Sequence, residues 1–423
     1  MFRAGLLLCL VLSFTQTSLS YSVLTHEEIV DLLWADHIKK LLLKRFPDAT
    51  EDQLREAHAY AYGGCVIQDM GYYPLGSKEF SNLVHYVRSG DFVVTLIHDA
   101  TDINEYAFAL GALSHYVADN DGHPTVNHAV GVEYPNLRAK YGDQVTYGEN
   151  PTAHVKTEFG FDVVEVAKHR YPSDAYHDFI GFKVAKPLLE RAFRETYGIE
   201  LTDVFGNLDL AIGTYRRAVS KIIPEMTRVA LLSKRADIVH DTPNFSEKKF
   251  LYRISRTEYE KEWGADYKKP GRGARILAFL FRLIPKVGPL KAIDFKIPTT
   301  ATEALFIKSI DTTTDQYQSL VDELRVGPIH LINRDCDTGK PTRPGEYKLT
   351  DAAYAQLLHR LTLRKFDLLT PELKDNITNY YSNLNAPLAT KKSKDQWKMT
   401  LQELDNLKAA APVVSVLQPA MRN

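Results

Sequence analysis

Two pairs of side chains constrain this chain more than any other feature. His115 and Asp119 in "SHYVADND", and His154 and Glu158 in "AHVKTEF", stand four residues apart within stretches of helical apolar periodicity. On a helix that spacing puts both side chains on one face, aimed at one point. Imidazole nitrogen and carboxylate oxygen are donors that zinc takes in a compact shell, so each pair offers two ligands to one ion at little ordering cost. One such pair is weak evidence, because a helical histidine is more often structural. Two pairs, with His123 four residues past Asp119, ask for a fold that brings separate helices to a common centre.

The flanking sequence supplies those helices. "LTHEEIVDLLW" has Thr25 and Glu28 in capping-box spacing and Ile29, Leu32 and Leu33 on one face, which predicts a helix with His26 in its first turn. "DINEYAFALGALSHYVAD" carries Ile103, Tyr106, Ala107, Leu110, Leu113 and Val117 as an apolar stripe, with a sharp turn expected at Gly122 and Pro124. Asn150 reads as a helix cap and Pro151 as the first helical residue, which sets His154 and Glu158 in the opening turns. Strand-like alternation is scarce before residue 240. The fold class is therefore all-α: a multi-helix domain over residues 21–240, then a mostly helical C-terminal region over 241–423. In that second region, residues 275–291 read as a core helix and turn or as a basic amphipathic element for a lipid surface. The Gly- and Pro-rich stretch from Arg325 to Lys348 reads as a small hairpin.

Charge and the N-terminus narrow the class further. With 52 Lys+Arg against 53 Asp+Glu, the chain as a whole lacks the basicity of a nucleic-acid binder. Arg3 followed by "AGLLLCLVLSF" reads as a signal peptide over residues 1–20, with Ser18 and Ser20 in the small-residue positions of a cleavage site. Removal would make the protein secreted or periplasmic and leave Tyr21 with a free amine beside its carbonyl. His26 lies only five residues later, so both can chelate one ion. Asp69, in the Gly-flanked "GGCVIQDMGYYP", presents a carboxylate from a loop, and His85 sits in another expected helix. After processing, only Cys65 and Cys336 remain, which excludes a dense disulfide framework. His37, His58, His98, His169, His177, His240, His330 and His359 lack a partner at ligand spacing and are assigned to ordinary hydrogen bonding.

This order of ligand types resembles that of the zinc-dependent phospholipase C family, whose relatives include single-strand nucleases with three clustered zinc ions. The resemblance covers roughly residues 21 to 220 and rests on nine positions falling in order. It implies one ion at Tyr21, His26 and Asp119, a second at Asp69, His85, His115 and Asp119, and a third at His123, His154 and Glu158. His128 competes with His123, which is preferred for the expected turn beside it. Relatives often begin with Trp where this chain has Tyr21, a tolerable change because the ligands there are backbone atoms. The implied activity is hydrolysis of the glycerol-side phosphoester of phospholipids at a membrane surface, with Asp69 orienting the attacking water. Glu158 and the Tyr start look more like the phospholipase branch. Two alternatives stand beside it: a single-strand nuclease or nucleotidase acting on nucleic acid, and a non-catalytic, zinc-stabilised lipid-binding protein. No obligate protein partner is evident.

Overall fold

The computed structural model of the protein describes residues 22–168, 182–223, 226, 227, 230 and 295–413. Among these the chain is helical nearly throughout, and the only strands are one two-residue pair. Helix α1 (Val23–Leu33) passes through a π-turn (Trp34–Ile38) into α2 (Lys39–Arg45). Helix α3 (Glu51–Cys65) leads through a single 3-10 turn (Ile67–Tyr72) to α4 (Lys78–Tyr86) and α5 (Ser89–Asp99). Then come α6 (Ile103–Glu133), α7 (Pro135–Tyr141), α8 (Pro151–Ala167), α9 (Lys186–Tyr197), α10 (Leu201–Val204) and α11 (Leu208–Arg217). Beyond residue 294 follow α12 (Thr300–Leu324), a hairpin of β1 (Arg334–Asp335) and β2 (Lys340–Pro341), α13 (Lys348–Leu363), α14 (Pro371–Tyr380) and α15 (Lys394–Ala409).

Helix α6 is buried along most of its length. Its seat against α3 depends on two glycines. A methyl group at Gly64 would lie 2.0 Å from the Phe108 carbonyl oxygen, and one at Gly111 would lie 2.0 Å from that of Ala61. The two backbones thus meet where neither carries a side chain.

Helices from beyond residue 294 complete the same core. Tyr317 of α12 is buried and donates to the Leu110 carbonyl of α6 at 2.9 Å. Phe306 stacks on Phe161 of α8 with ring centroids 4.2 Å apart. Arg360 of α13 grips both oxygens of Glu79 in α4, at 2.8 and 2.7 Å. Buried apolar side chains from both halves form one continuous cluster.

Two local expectations are corrected. Helix α1 starts at Val23 with Ser22 as its N-cap rather than Thr25, whose hydroxyl is engaged by Asp162. Helix α6 does not turn at Gly122 and Pro124 but runs on to Glu133 with Pro124 inside it. Pro124 removes the N–H that would meet the Asn120 carbonyl. That carbonyl faces Gly339 of the hairpin, held at φ +67°, where a methyl group would stand 2.3 Å from the Asn120 oxygen. Packing on both sides keeps the helix intact through the proline.

Residues 1–20, Tyr21, His169, His177, His240 and the basic, apolar stretch 275–291 lie outside the described residues. Among those described, no helix is long and apolar enough to cross a membrane. Cys65 and Cys336 are both buried free thiols.

Candidate metal site

Six elements deliver nine donor-bearing residues to one buried place: His26 from α1, Asp69 from the 3-10 turn, His85 from the last turn of α4, His115, Asp119 and His123 from α6, His154 and Glu158 from α8, and Asp337 from the hairpin. None is more than 3% exposed. His115, Asp119 and His123 form one stripe because they are spaced four and four along an unbroken helix. His123 therefore faces the site because α6 continues, not because it turns. His128 lies off that stripe and is half-buried. Asp69 sits in a tight helical turn rather than an open loop, fixed by Ser81 Oγ, which accepts from Gly71 N at 3.0 Å and donates to the Gln68 carbonyl.

The donors face one another at short range. Asp119 Oδ2 is 3.1 Å from His115 Nε2 and 3.2 Å from His85 Nε2, while its Oδ1 is 3.6 Å from His26 Nε2. Asp69 Oδ1 is 3.5 Å from His85 Nε2. Two sets of three donor groups lie within 4.8 Å of one another: His26, Asp69 and His115, and His85, His115 and Asp119. Asp119 thus turns one oxygen toward His26 and the other toward His85 and His115. His154 Nδ1 is 2.7 Å from Glu158 Oε1, and the His123 ring stands 5.2 Å from that of His154. These three adjoin the two sets without forming a third of the same compactness.

The far sides of the rings set their protonation. His85 Nδ1 faces the Ser81 carbonyl at 2.7 Å, and His115 Nδ1 faces the Cys65 carbonyl at 2.8 Å. A carbonyl only accepts, so each Nδ1 carries its proton and each Nε2 presents a lone pair in the neutral ring. Those two Nε2 atoms are 3.3 Å apart. Against the pull of burial, the carboxylates of Asp119 and Asp69 raise both imidazoles above their ordinary value, so the surroundings favour positive charge at that gap.

Charge makes the same demand. Asp69, Asp119, Glu158 and Asp337 are all buried, and among the described residues no Lys or Arg is buried to balance them. Burial, reinforced by Asp69 and Asp119, pushes the Glu158 carboxyl well above the usual range. Burial acts on Asp119 in the same sense, but the His115 and His85 imidazoles outweigh it and hold that carboxyl well below its ordinary value. Burial drives His26 and His154 well below the usual imidazole value and lowers His123, which favours the neutral, ligating form. Asp69 Oδ2, both ring nitrogens of His123 and both carboxyl oxygens of Glu158 have no hydrogen-bond partner. Orphaned, buried nitrogen and oxygen donors of this kind fit zinc.

Residues 25–207 match the family model for zinc dependent phospholipase C. That segment is similar to the zinc-dependent phospholipase C family. Comparison with curated proteins and with solved structures gives no match. The matched segment contains His26, Asp69, His85, His115, Asp119, His123, His154 and Glu158, so the candidate metal-binding groups lie within it.

Asp337 lies outside the matched segment and was not anticipated from the sequence. It occupies the hairpin turn in "RDCDTGK", with Oδ1 3.4 Å from His123 Nδ1. Nothing local ties that turn to histidines more than two hundred residues earlier. Asn127 was also missed, although its position four past His123 on the same helix face was a usable signal. Its Oδ1 meets His154 Nε2 at 2.8 Å and its Nδ2 donates to the Asp337 carbonyl at 2.8 Å. Other histidines have ordinary partners: His58 bonds Asp31 at 2.9 Å and stacks on Trp34, and His359 meets Glu403 at 2.6 Å.

Proposed function

We propose that the protein is an exported phosphodiester hydrolase of the phospholipase C type, which holds three zinc ions and cleaves the glycerol-side phosphoester of phospholipids at a membrane surface. The observation that carries this reading is the convergence of His26, Asp69, His85, His115 and Asp119, with neighbouring donor atoms 3.1–3.6 Å apart, inside a segment similar to that family. Tyr21, His26 and Asp119 would hold one ion, Asp69, His85, His115 and Asp119 a second, and His123, His154 and Glu158 the third. Export, by removal of residues 1–20, supplies the free amine of Tyr21. Bound zinc lends Lewis acidity toward a phosphate oxygen and makes water easier to deprotonate.

The chain's own groups do the rest. Asp69 directs Oδ1 toward His85 and keeps Oδ2 without a hydrogen-bond partner, so Oδ2 is the acceptor for the proton of the attacking water. The water oxygen bonds to phosphorus as the phosphorus–oxygen bond to glycerol breaks. The proton held by Asp69 then passes to the departing alkoxide, which leaves as diacylglycerol beside a phosphorylated headgroup. The carbonyls of Ser81 and Cys65 keep the His85 and His115 rings from rotating during this cycle. Cys65 is buried, and burial pushes its thiol well up, so it supplies no competing nucleophile.

The test is turnover by zinc-loaded protein beginning at Tyr21, given phosphatidylcholine vesicles and, separately, single-stranded DNA, each with and without chelator. Phosphocholine release that is lost with chelator and in Asp69→Asn is the expected result. Release of nucleotides alone would replace the lipid substrate by nucleic acid, and bound zinc without turnover of either would leave a zinc-stabilised lipid-binding protein.

A further inference from the structure

The hairpin of β1 and β2 sends one carboxylate into the donor cluster from outside the matched segment. We propose that Asp337 is itself a metal ligand, its Oδ1 joining His123, His154 and Glu158 at the third position. This rests on the reading that the site holds zinc.

Separation is the first argument. Zinc bonds of ~2.0–2.1 Å spread tetrahedrally put neighbouring donor atoms roughly 3.3–3.4 Å apart. The neighbouring donors of the first two positions stand at 3.1, 3.2, 3.3, 3.5 and 3.6 Å, while at the third His154 Nδ1 and Glu158 Oε1 are closer, at 2.7 Å. His123 Nδ1 and Asp337 Oδ1, at 3.4 Å, fall in that band. A charge-assisted N–H···O bond would bring them to about 2.7–2.9 Å. Neither ring nitrogen of His123 has a hydrogen-bond partner, so Asp337 is not simply receiving its proton.

The second argument is how the carboxylate is held. Asp337 Oδ2 accepts from Tyr86 Oη at 2.9 Å and from Tyr347 Oη. The outer oxygen is thereby fixed and the inner one left to the site, as the carbonyls do for His85 and His115. Ligands held from behind in this way are the usual supporting structure of metal sites. Asn127 links the two halves of the third position: its Oδ1 meets His154 Nε2 and its Nδ2 donates to the main-chain carbonyl of Asp337. That contact leaves His154 Nδ1, beside Glu158 Oε1, as the inward atom.

With Asp337 the third position has four protein donors, the complement of a closed, structural zinc site. That ion fastens the C-terminal hairpin to α6 and α8. The positions served by His26, Asp69, His85, His115 and Asp119 keep the chemistry.

The experiment compares the full mature chain with Asp337→Asn and Asp337→Ala by zinc content at graded chelator concentrations, and by the visible absorption of the cobalt-substituted proteins. Asn keeps the side-chain shape and can still accept from both tyrosines, so it separates loss of a ligand from loss of fold, which far-ultraviolet circular dichroism checks. The expected result is one zinc fewer in Asp337→Asn, at a chelator concentration the wild type withstands, an affinity loss of at least ~10-fold at that position, and weaker cobalt absorption. Equal zinc retention and an unchanged cobalt spectrum in Asp337→Asn would overturn the assignment. Zinc loss in that variant supports the ligand even if the wild type hydrolyses no phospholipid, so the two readings fail separately.

Discussion

Thr25 and Asp162, 137 residues apart in sequence, are joined by a 2.6 Å hydrogen bond in which Thr25 Oγ1 donates to Asp162 Oδ1. The Leu24 backbone N–H donates to the other oxygen at 3.1 Å. Asp162 lies one turn beyond Glu158 on α8, so one buried carboxylate sets the entry of α1, and with it His26, against the helix that carries His154 and Glu158. Asp162→Ala would leave a buried N–H and a buried hydroxyl without an acceptor, at ~1–3 kcal/mol for each. The expected outcome is a stability loss of about 2–6 kcal/mol in chemical denaturation, together with weaker zinc retention. Zinc retention equal to wild type would show that other contacts place His26.

The close approach of α3 and α6 makes a second prediction. In Gly111→Ala the new methyl would meet the Ala61 carbonyl, a backbone atom that cannot swing away. Forcing the helices apart should cost about 1–3 kcal/mol or more. It should also pull the Cys65 carbonyl from His115 Nδ1 and lower zinc affinity. Gly213→Ala is the control: it sits in α11 with nothing within 4 Å of the added methyl. That change should stabilise by roughly 0.5–1 kcal/mol. Urea midpoints compare the two, and a Gly111→Ala protein as stable as wild type would contradict the packing described.

The site was legible where its donors share one helix. His115 with Asp119, and His154 with Glu158, announce themselves because spacing alone fixes their common face. Asp337 was not legible, because the hairpin reaches the site through long-range contacts with Tyr86, Asn127, Tyr347 and Asn120, and no short-range pattern encodes such docking. Pro124 misled for the converse reason. Locally, Gly122 and Pro124 read as a helix stop, but surrounding packing carries α6 through the lost hydrogen bond. Thr25 shows the same override: its hydroxyl matches a capping pattern, yet a buried carboxylate from α8 is the partner it takes.

Gly339→Ala tests whether the hairpin must approach α6 as closely as it does. Gly339 holds φ +67° and its new methyl would press on the Asn120 oxygen. Backbone strain and displacement together should cost on the order of 1–3 kcal/mol. If Asp337 serves the third ion, this variant should also retain one zinc fewer than wild type, measured by metal analysis. Full retention with lowered stability would mean the hairpin matters to the fold but not to the metal.

Removing metal should destabilise the fold itself. Without a cation, Asp69, Asp119, Glu158 and Asp337 stay buried with no buried ammonium or guanidinium among the described residues. Unbalanced buried charge costs several kcal/mol, and metal binding feeds directly into folding. Chelation should therefore lower the thermal midpoint markedly. Zinc should restore it and magnesium should not, since imidazole donors suit the former and oxygen ligands the latter. A midpoint indifferent to chelator would remove the metal from any part in stability.

Glu133, the last residue of α6, gives a prediction independent of the metal ligands. Its Oε2 accepts from Thr157 Oγ1 at 2.9 Å, while Oε1 has no hydrogen-bond partner. Burial pushes this carboxyl from an ordinary 4.5 up to about 7, against the opposing pull of the Thr157 hydrogen bond and of Lys296. The folded chain thus keeps a proton that the unfolded chain has already released between those two values. Its contribution is complete below about 4.5 and is lost as pH rises through about 7. At ~1.4 kcal/mol per pH unit, the full effect is at most ~3.5 kcal/mol. Glu133→Gln keeps an acceptor for Thr157 and never ionises. With zinc saturating in both proteins, denaturation midpoints should favour wild type slightly or not at all near pH 5, and should favour the variant clearly at pH 8. A constant difference across that range would show that Glu133 does not titrate between the two states.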